Sequence, residues 1–253
     1  MQITGNTVFI PGATSGIGRA LAERLHTRGN TVIVGGRRQE LLDDIVAANP
    51  GMAAVRIDTA DADSIAEASA EVLRRFPEVN VLITMAGVMA VEDWRSGDFL
   101  ESAQRHVTTN LLGPIRLIAA FVGRLQTRPD ATIMTVSSGL AFAPLRITPT
   151  YNATKAAIHM LSETLRLQLA DTSVQVLELE PPSVRTALMP GQEESDFAMP
   201  LDDFADEVMQ IIETRPEATE IQVENVKFLR YGEARGDYPQ VVAALNRMDP
   251  HGD

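Results

Sequence analysis

Short runs of β-branched and aliphatic residues alternate along this chain with longer stretches whose apolar positions recur every three or four residues. The short runs fall at 7–10 (TVFI), 31–34 (TVIV), 53–57 (AAVRI), 81–83 (VLI), 132–136 (TIMTV), 174–177 (VQVL) and 220–223 (EIQV). Amphipathic stretches lie between them at 16–28, 38–48, 61–75, 98–126, 149–170 and 201–213. Near-continuous apolar strands predict a sheet buried on both faces, and strands separated by helix-length segments predict parallel pairing. The expected class is therefore α/β, a doubly wound, mainly parallel seven-stranded sheet with helices on both faces. No repeat, low-complexity tract or linker interrupts the pattern, so one domain over 1–253 is expected. Residues 188–200, rich in Gly, Pro and acidic residues, read as a loop or substrate lid, and the tail after Asp249 is expected to fray.

Composition narrows the function classes. With 253 residues, 45% of them hydrophobic, the chain can bury a large core without a second domain. The absence of Cys excludes disulfides, thiolate chemistry and cysteine metal ligands, and is compatible with a reducing compartment. The opening MQITGNTVFIPG lacks a basic segment followed by an apolar run, and no stretch reaches the roughly 20 apolar residues of a membrane span. A soluble cytoplasmic protein is expected. A formal charge of −12 and a pI near 4.8 oppose binding to nucleic acid or an anionic membrane. Any anionic ligand needs its own local cluster of positive charge.

The first strand runs into Pro11-Gly12-Ala13-Thr14-Ser15-Gly16-Ile17-Gly18, followed by a helical pattern. Glycines allow a sharp turn and close backbone approach, and a helix N-terminus offers free N–H groups and a positive dipole end to a pyrophosphate. The spacing Gly-x-x-x-Gly-x-Gly differs from Gly-x-Gly-x-x-Gly but meets the same demands, so a Rossmann-like dinucleotide site is expected here. At the end of the second strand stands Gly35-Gly36-Arg37-Arg38. An acid there would hold a ribose 2′-hydroxyl, whereas an Arg accommodates a 2′-phosphate. The acid is missing and two guanidinium forks are present, which points to NADP(H) ahead of NAD(H). Arg37 is expected as the main contact and Arg38 as a stacking partner of the adenine. Asp58, closing the third strand, either accepts from the adenine amino group or caps the next helix.

Further on, Tyr151-Asn152-Ala153-Thr154-Lys155 follows a helix start, with Thr148 as cap and Pro149 in the first turn. Positions i and i+4 share a face, so the phenol and the ammonium can enter one pocket. A neighbouring cation favours the phenolate, making Tyr151 a usable acid or base. Ala153, Ala156, Ala157, Met160, Leu161 and Leu165 are expected to form the face this helix lays against the sheet. In Asn110-Leu111-Leu112-Gly113-Pro114, Pro114 lacks the N–H that would bond the Asn110 carbonyl, so the long helix should break there and free an acceptor for water.

With these motifs in order, the chain resembles the short-chain dehydrogenase/reductase family in its compact single-domain form. The resemblance rests on the Gly-x-x-x-Gly-x-Gly loop, Ala86-Gly87 after the fourth strand, Asn110 in the long helix, Ser138 thirteen residues before Tyr151, and Lys155. It implies an oxidoreductase moving a hydride between NADP(H) and a carbonyl/alcohol pair. Tyr151 would be the acid/base and Lys155 would hold the nicotinamide ribose; Ser138 would orient the substrate oxygen and Asn110 would support a proton relay. Beyond Gly12, Thr14, Ser15, Gly16, Ile17, Gly18, Arg37, Arg38 and Asp58, it assigns Ala86, Gly87, Pro181, Val184 and Thr186 to the cofactor. It also implies a homodimer or homotetramer through the helices carrying Asn110 and Tyr151.

Two departures stand out: Thr84-Met85 replaces the family's Asn pair, and Pro182 replaces a Gly. They motivate the alternative of a non-catalytic dinucleotide-binding sensor or scaffold. His26, His106, His159 and His251 lack metal-ligand spacing, and no metal is expected. Met85, Met89, Trp94 and Phe142 could line a substrate pocket or belong to the core. Leu140, Phe142, Pro144 and Leu145, in the loop 139–148, suggest a hydrophobic substrate without naming one. Glu193, Glu194 and Asp196 read as the solvated face of the lid.

Overall fold

A computed structural model of the chain describes residues 1–247, so the tail after Asp249 and His251 lie outside the described residues. In chain order the elements are β1 (Thr7–Pro11), α1 (Gly16–Thr27), β2 (Thr31–Gly36), α2 (Gln39–Ala48), β3 (Ala53–Arg56), α3 (Ala62–Arg75) and β4 (Val81–Thr84). The second half runs α4 (Leu100–Val107), α5 (Gly113–Leu125), β5 (Ala131–Val136), α6 (Pro149–Gln168), β6 (Val174–Leu179), α7 (Leu201–Thr214) and β7 (Glu220–Ile221). It closes with α8 (Lys227–Arg230), α9 (Gly232–Arg235) and α10 (Tyr238–Arg247).

The sheet has seven strands in the order β3-β2-β1-β4-β5-β6-β7, every pair parallel. It is the Rossmann-like doubly wound architecture expected from the alternation. Strands β4 and β5 are buried along their whole length, which is why their sequences are nearly continuous in apolar residues. One core cluster joins α1, α2 and α7 to one face of the sheet, and a second joins α3 and α5 to the other, with Phe9 stacked on Phe121 at 5.5 Å. Strand order reverses between β1 and β4, and the crevice beyond the carboxyl ends of the strands at such a switch point is where this topology binds ligands.

Three expectations need correction. The stretch 98–126 is two helices joined by a π-helical turn, Thr108–Leu112, in which the Gly113 N–H reaches back to the Thr108 carbonyl. Pro114 does interrupt the helix, but by widening it. A Cβ on Gly113 would lie 2.7 Å from the Thr59 carbonyl oxygen, so the widened turn presses against the loop after β3.

Helix α6 turns a different side inward from the one its apolar spacing suggests. Tyr151, Thr154, Lys155, Ile158 and Ser162 are buried, whereas Ala153, Ala156 and Met160 are exposed. Polar groups wanted at the crevice override hydrophobic periodicity. Finally, β7 is two residues long, Glu220–Ile221, and the chain enters a 3₁₀ turn at Glu224–Val226.

Candidate active site

The crevice at the switch point is a cleft of about 690 Å³. Its floor is built from close backbone approaches that only glycine permits. A Cβ on Gly12 (φ +97°) would lie 2.5 Å from Ala86 Cα, and one on Gly18 would lie 2.4 Å from the Gly12 carbonyl oxygen. On Gly36 it would lie 2.3 Å from Thr14 Cγ2. These contacts draw the β1–α1 loop, the end of β2 and the loop after β4 into one cradle, beside the N-terminus of α1. A pyrophosphate-bearing cofactor fits such a cradle, because free N–H groups and a dipole end face it and no side chain fills it.

Of the expected cofactor residues, Gly12, Thr14, Ser15, Gly16, Ile17, Gly18, Arg37, Arg38, Asp58, Ala86, Gly87, Pro181, Val184 and Thr186 all line this cleft. Arg37 and Arg38 are exposed at its rim, and Arg38 donates to Thr14 Oγ1 at 3.3 Å, reaching back across the glycine loop. Asp58 accepts from the Ala60 N–H at 3.0 Å, while the cap of α3 is Asp61, which takes the N–H groups of Asp63 and Ser64. Asp58 therefore leaves the helix cap to another residue and faces the cleft.

The opposite end of the cleft holds Ser138, Tyr151 and Lys155. Ser138 follows β5 and accepts from the Leu140 N–H at 3.1 Å, so it also serves the local turn. Thr148 stands at the N-cap of α6 but directs its hydroxyl to Leu145 and Asn152 instead of the helix N–H groups. Lys155 Nζ donates to the Val136 carbonyl at 2.7 Å and lies 5.5 Å from the Tyr151 ring centroid.

Burial dominates the titration of both. It pushes the Tyr151 phenol up to about 12, a hydrogen bond with Ser138 only partly offsetting it, and pushes the Lys155 ammonium down to about 8, partly opposed by Glu178. A phenol above neutrality holds its proton and is set up to donate it.

Asn110 works through its side chain. Its Oδ1 accepts from the Val88 N–H at 2.8 Å and its Nδ2 donates to the Val88 carbonyl at 2.9 Å, fixing the loop after β4 beside Gly87. Thr84 directs its hydroxyl at the Met134 carbonyl, inside the sheet, so it does not replace the missing amides at the cleft.

Met85 and Met89 line the cleft. Trp94 is 55% exposed and stacks on Phe99 at 4.4 Å. Leu140, Phe142 and Pro144 line a separate cavity of about 240 Å³ with Asn152 and Tyr238, so they say nothing about the substrate of the main cleft. In the segment 188–200, Leu188 and Gln192 reach the cleft, Glu193, Glu194 and Asp196 are exposed, and a parallel bridge from Val184 to Met199 ties the segment down.

Behind Lys155 lies a group the motifs did not reveal. Glu178 near the end of β6 and Glu180 just beyond it are fully buried. Glu178 accepts from Ser137 at 2.5 Å, faces His159 Nδ1 at 3.0 Å and lies 3.4 Å from Arg166. Glu180 lies 3.5 Å from Arg230, which also meets Glu220 at 3.3 Å. Donor atoms of His159, Glu178, Glu180 and Glu220 fall within 4.8 Å of one another, a spacing open to a cation, but the two arginines already sit against these carboxylates. The signal was present: two acids at alternate positions in the run VQVLELE are out of place in a buried strand.

Comparison with known proteins gives a consistent result. Residues 6–196 match the model of the short chain dehydrogenase family. The chain is 40% identical over 191 residues to the uncharacterized oxidoreductase DltE of Bacillus subtilis, covering 74% of this chain and 75% of that protein. It is 34% identical over 184 residues to the NADPH-dependent 1-acyldihydroxyacetone phosphate reductase of Schizosaccharomyces pombe, covering 72% of this chain and 60% of that one. A short chain dehydrogenase from Burkholderia cenocepacia solved in complex with NADP superposes with a TM-score of 0.83 at 26% identity, over 97% of this chain and 99% of that one. Among the described residues, no helix is long and apolar enough to cross a membrane.

Proposed function

This chain belongs to the short-chain dehydrogenase/reductase family of oxidoreductases, and from that premise we propose that it transfers a hydride between NADP(H) and a carbonyl/alcohol pair. The observation that carries the reading is one cleft with the glycine cradle at one end and Ser138, Tyr151 and Lys155 at the other. When bound, the cofactor supplies the hydride that adds to the carbonyl carbon. Gly16 and Gly18 bring backbone N–H groups to its pyrophosphate, the Gly12 N–H being held by the Gly35 carbonyl at 2.8 Å, and Arg37 and Arg38 meet the 2′-phosphate, selecting NADP(H) ahead of NAD(H). Ala86, Gly87, Pro181, Val184 and Thr186 border the nicotinamide half.

Ser138 holds the substrate oxygen, and Tyr151 gives that oxygen its proton from the phenol that burial keeps protonated. Lys155 steadies Tyr151 and the ribose, and Asn110 keeps the loop 84–88 in place against them. Soluble, cytoplasmic self-association into a dimer or tetramer belongs to the same reading; Val107, Ile115, Met160 and Leu167 are exposed on α4, α5 and α6, and sedimentation of the protein would test it.

The deciding experiment follows NADPH and NADH depletion over a panel of ketones and aldehydes that includes 1-acyldihydroxyacetone phosphate. Turnover with NADPH is expected, and Tyr151→Phe should lower kcat by about 10³-fold or more while NADPH binding persists. Retained activity in that variant removes Tyr151 as the acid/base. Tight NADPH binding with no turnover on any substrate favours the sensor instead, which the loss of amides at Thr84-Met85 motivates.

A further inference from the structure

The loop between β4 and α4 carries a carboxylate that neither the motifs nor the proposed chemistry uses. Glu92 has a fully buried side chain. Its Oε2 accepts from the Thr150 N–H at 3.1 Å and from the Trp94 indole N–H at 3.1 Å. Its own N–H donates to the Ile147 carbonyl at 2.9 Å. Thr150 sits in the first turn of α6, where N–H groups have no partner inside the helix and a negative charge meets the positive dipole end. Burial pulls the Glu92 carboxyl upward, but the bonds from Thr150 and Trp94 outweigh it and leave the group below its ordinary range, an anion at neutral pH.

The other oxygen, Oε1, has no hydrogen-bond partner among the described residues and lies 3.1 Å from Nδ1 of His106 on α4, itself fully buried. His106 Nε2 accepts from the Ala90 N–H at 3.1 Å, so the ring proton sits on Nδ1 and is donated to the Ser102 carbonyl 2.8 Å away, with Glu92 Oε1 close enough to act on it by charge. The His106 ring meets the Tyr151 ring edge to face, 6.4 Å between centroids and 80° between planes. Three separate segments thus converge on the start of the helix that presents Tyr151.

We propose that Glu92 and His106 act as a positioning pair for Tyr151, the carboxylate docking the first turn of α6 and setting its negative charge against the His106 Nδ1–H edge, and the imidazole holding the phenol ring. This rests on the reading of Tyr151 as the acid/base. Neither residue touches the reacting atoms. A Gln at position 92 keeps an acceptor for Thr150 but turns an amide donor toward the Nδ1 proton. The negative charge beside the Nδ1–H edge is lost and a donor faces a donor, so the His106 ring loses its electrostatic seat.

The test uses 3-fluorotyrosine-labelled protein, in which the three tyrosines give separate fluorine resonances and Tyr151→Phe assigns the Tyr151 line. Glu92→Gln and His106→Asn should each shift or broaden that line and leave the lines of Tyr231 and Tyr238 in place. Glu92→Gln should also shift the emission of Trp94, the only tryptophan, which reports directly on the carboxylate. With NADPH and 4-nitrobenzaldehyde as the probe carbonyl, each variant should lose about tenfold or more in kcat with the NADPH KM within twofold. The double variant should be no slower than the slower single one, because both act through the same ring.

An unmoved Tyr151 line in both variants overturns the pair with or without turnover. So does a moved line with kcat within twofold of the parent, or a double variant whose losses multiply. Turnover surviving in Tyr151→Phe is a different failure, that of the tyrosine reading, and removes the basis of this one.

Discussion

The two ends of the cleft are built by opposite means. At the cofactor end, the β1–α1 loop and the end of β2 work by lacking side chains: Gly12, Gly18 and Gly36 each leave a space in which a Cβ would meet another atom at 2.5 Å or less. At the chemical end, Ser137, Ser138, Tyr151, Lys155, Glu178 and Glu180 are polar groups at most 7% exposed. Errors in the first region are steric, and abrupt at Gly12 and Gly18, where the neighbour is backbone and cannot yield as the Thr14 side chain beside Gly36 can. Errors in the second are electrostatic and graded with pH, since Tyr151, Lys155 and Glu180 can change their proton count.

The sharpest way to break that contrast is Gly18→Ala. Its Cβ would push against the Gly12 carbonyl oxygen, so NADPH affinity measured by titration calorimetry should fall by about 100-fold or more, at every pH. Unchanged affinity would mean that this loop is not the pyrophosphate cradle. A smaller effect is expected at the rim. Replacing Arg37 and Arg38 together by Ala should cut the preference for NADPH over NADH, read as a ratio of kcat/KM, by about tenfold or more. A ratio that does not move returns both arginines to the role of surface charge.

The smallest effect belongs to the buried acids. Burial first, then Glu178 and Glu220, push the Glu180 carboxyl up to about 8 from its ordinary 4.5, against the pull of Arg230. The folded chain therefore keeps a proton at Glu180 that the unfolded chain has released, and stability from this group falls as pH rises from about 4.5 to about 8. Lys155, pushed down to about 8 from 10.5, acts in the other direction mainly above that pH, and the Met1 ammonium, lowered by burial from 8.0, acts in that same other direction below it, so the share of Glu180 is read from the difference between parent and variant. Glu180→Gln, which mimics the protonated acid, should flatten the fall in Tm between pH 6 and pH 8 by roughly 5 °C. An equal fall in the parent and the variant would show that Glu180 is ionised throughout.

Legibility followed the same division. The glycine loop, Arg37-Arg38 and the Tyr151/Lys155 spacing are local, so a linear reading found them and every one of these residues lines the cleft. The long-range groups were not legible. Glu92 meets Thr150 across 58 positions and Ser137 meets Glu178 across 41. The roles of His106 and His159 are not readable along the chain, because nothing in their sequence neighbours names their carboxylate partners. The apolar spacing on α6 misled for a related reason, since a helix serving a cleft can bury its polar side.

What the sequence determined by itself is the kind of object this is: periodicity sets strands and helices, their alternation sets a parallel sheet, and short-range spacing sets the motifs at the strand ends. What only the tertiary structure decided is the state of the groups those motifs supply. Whether a phenol keeps its proton, an ammonium loses some of its own, or an acid stays neutral depends on how much water is removed and which charges face it. Those quantities come from segments far apart in the chain, and they exist only once the sheet has brought the segments together.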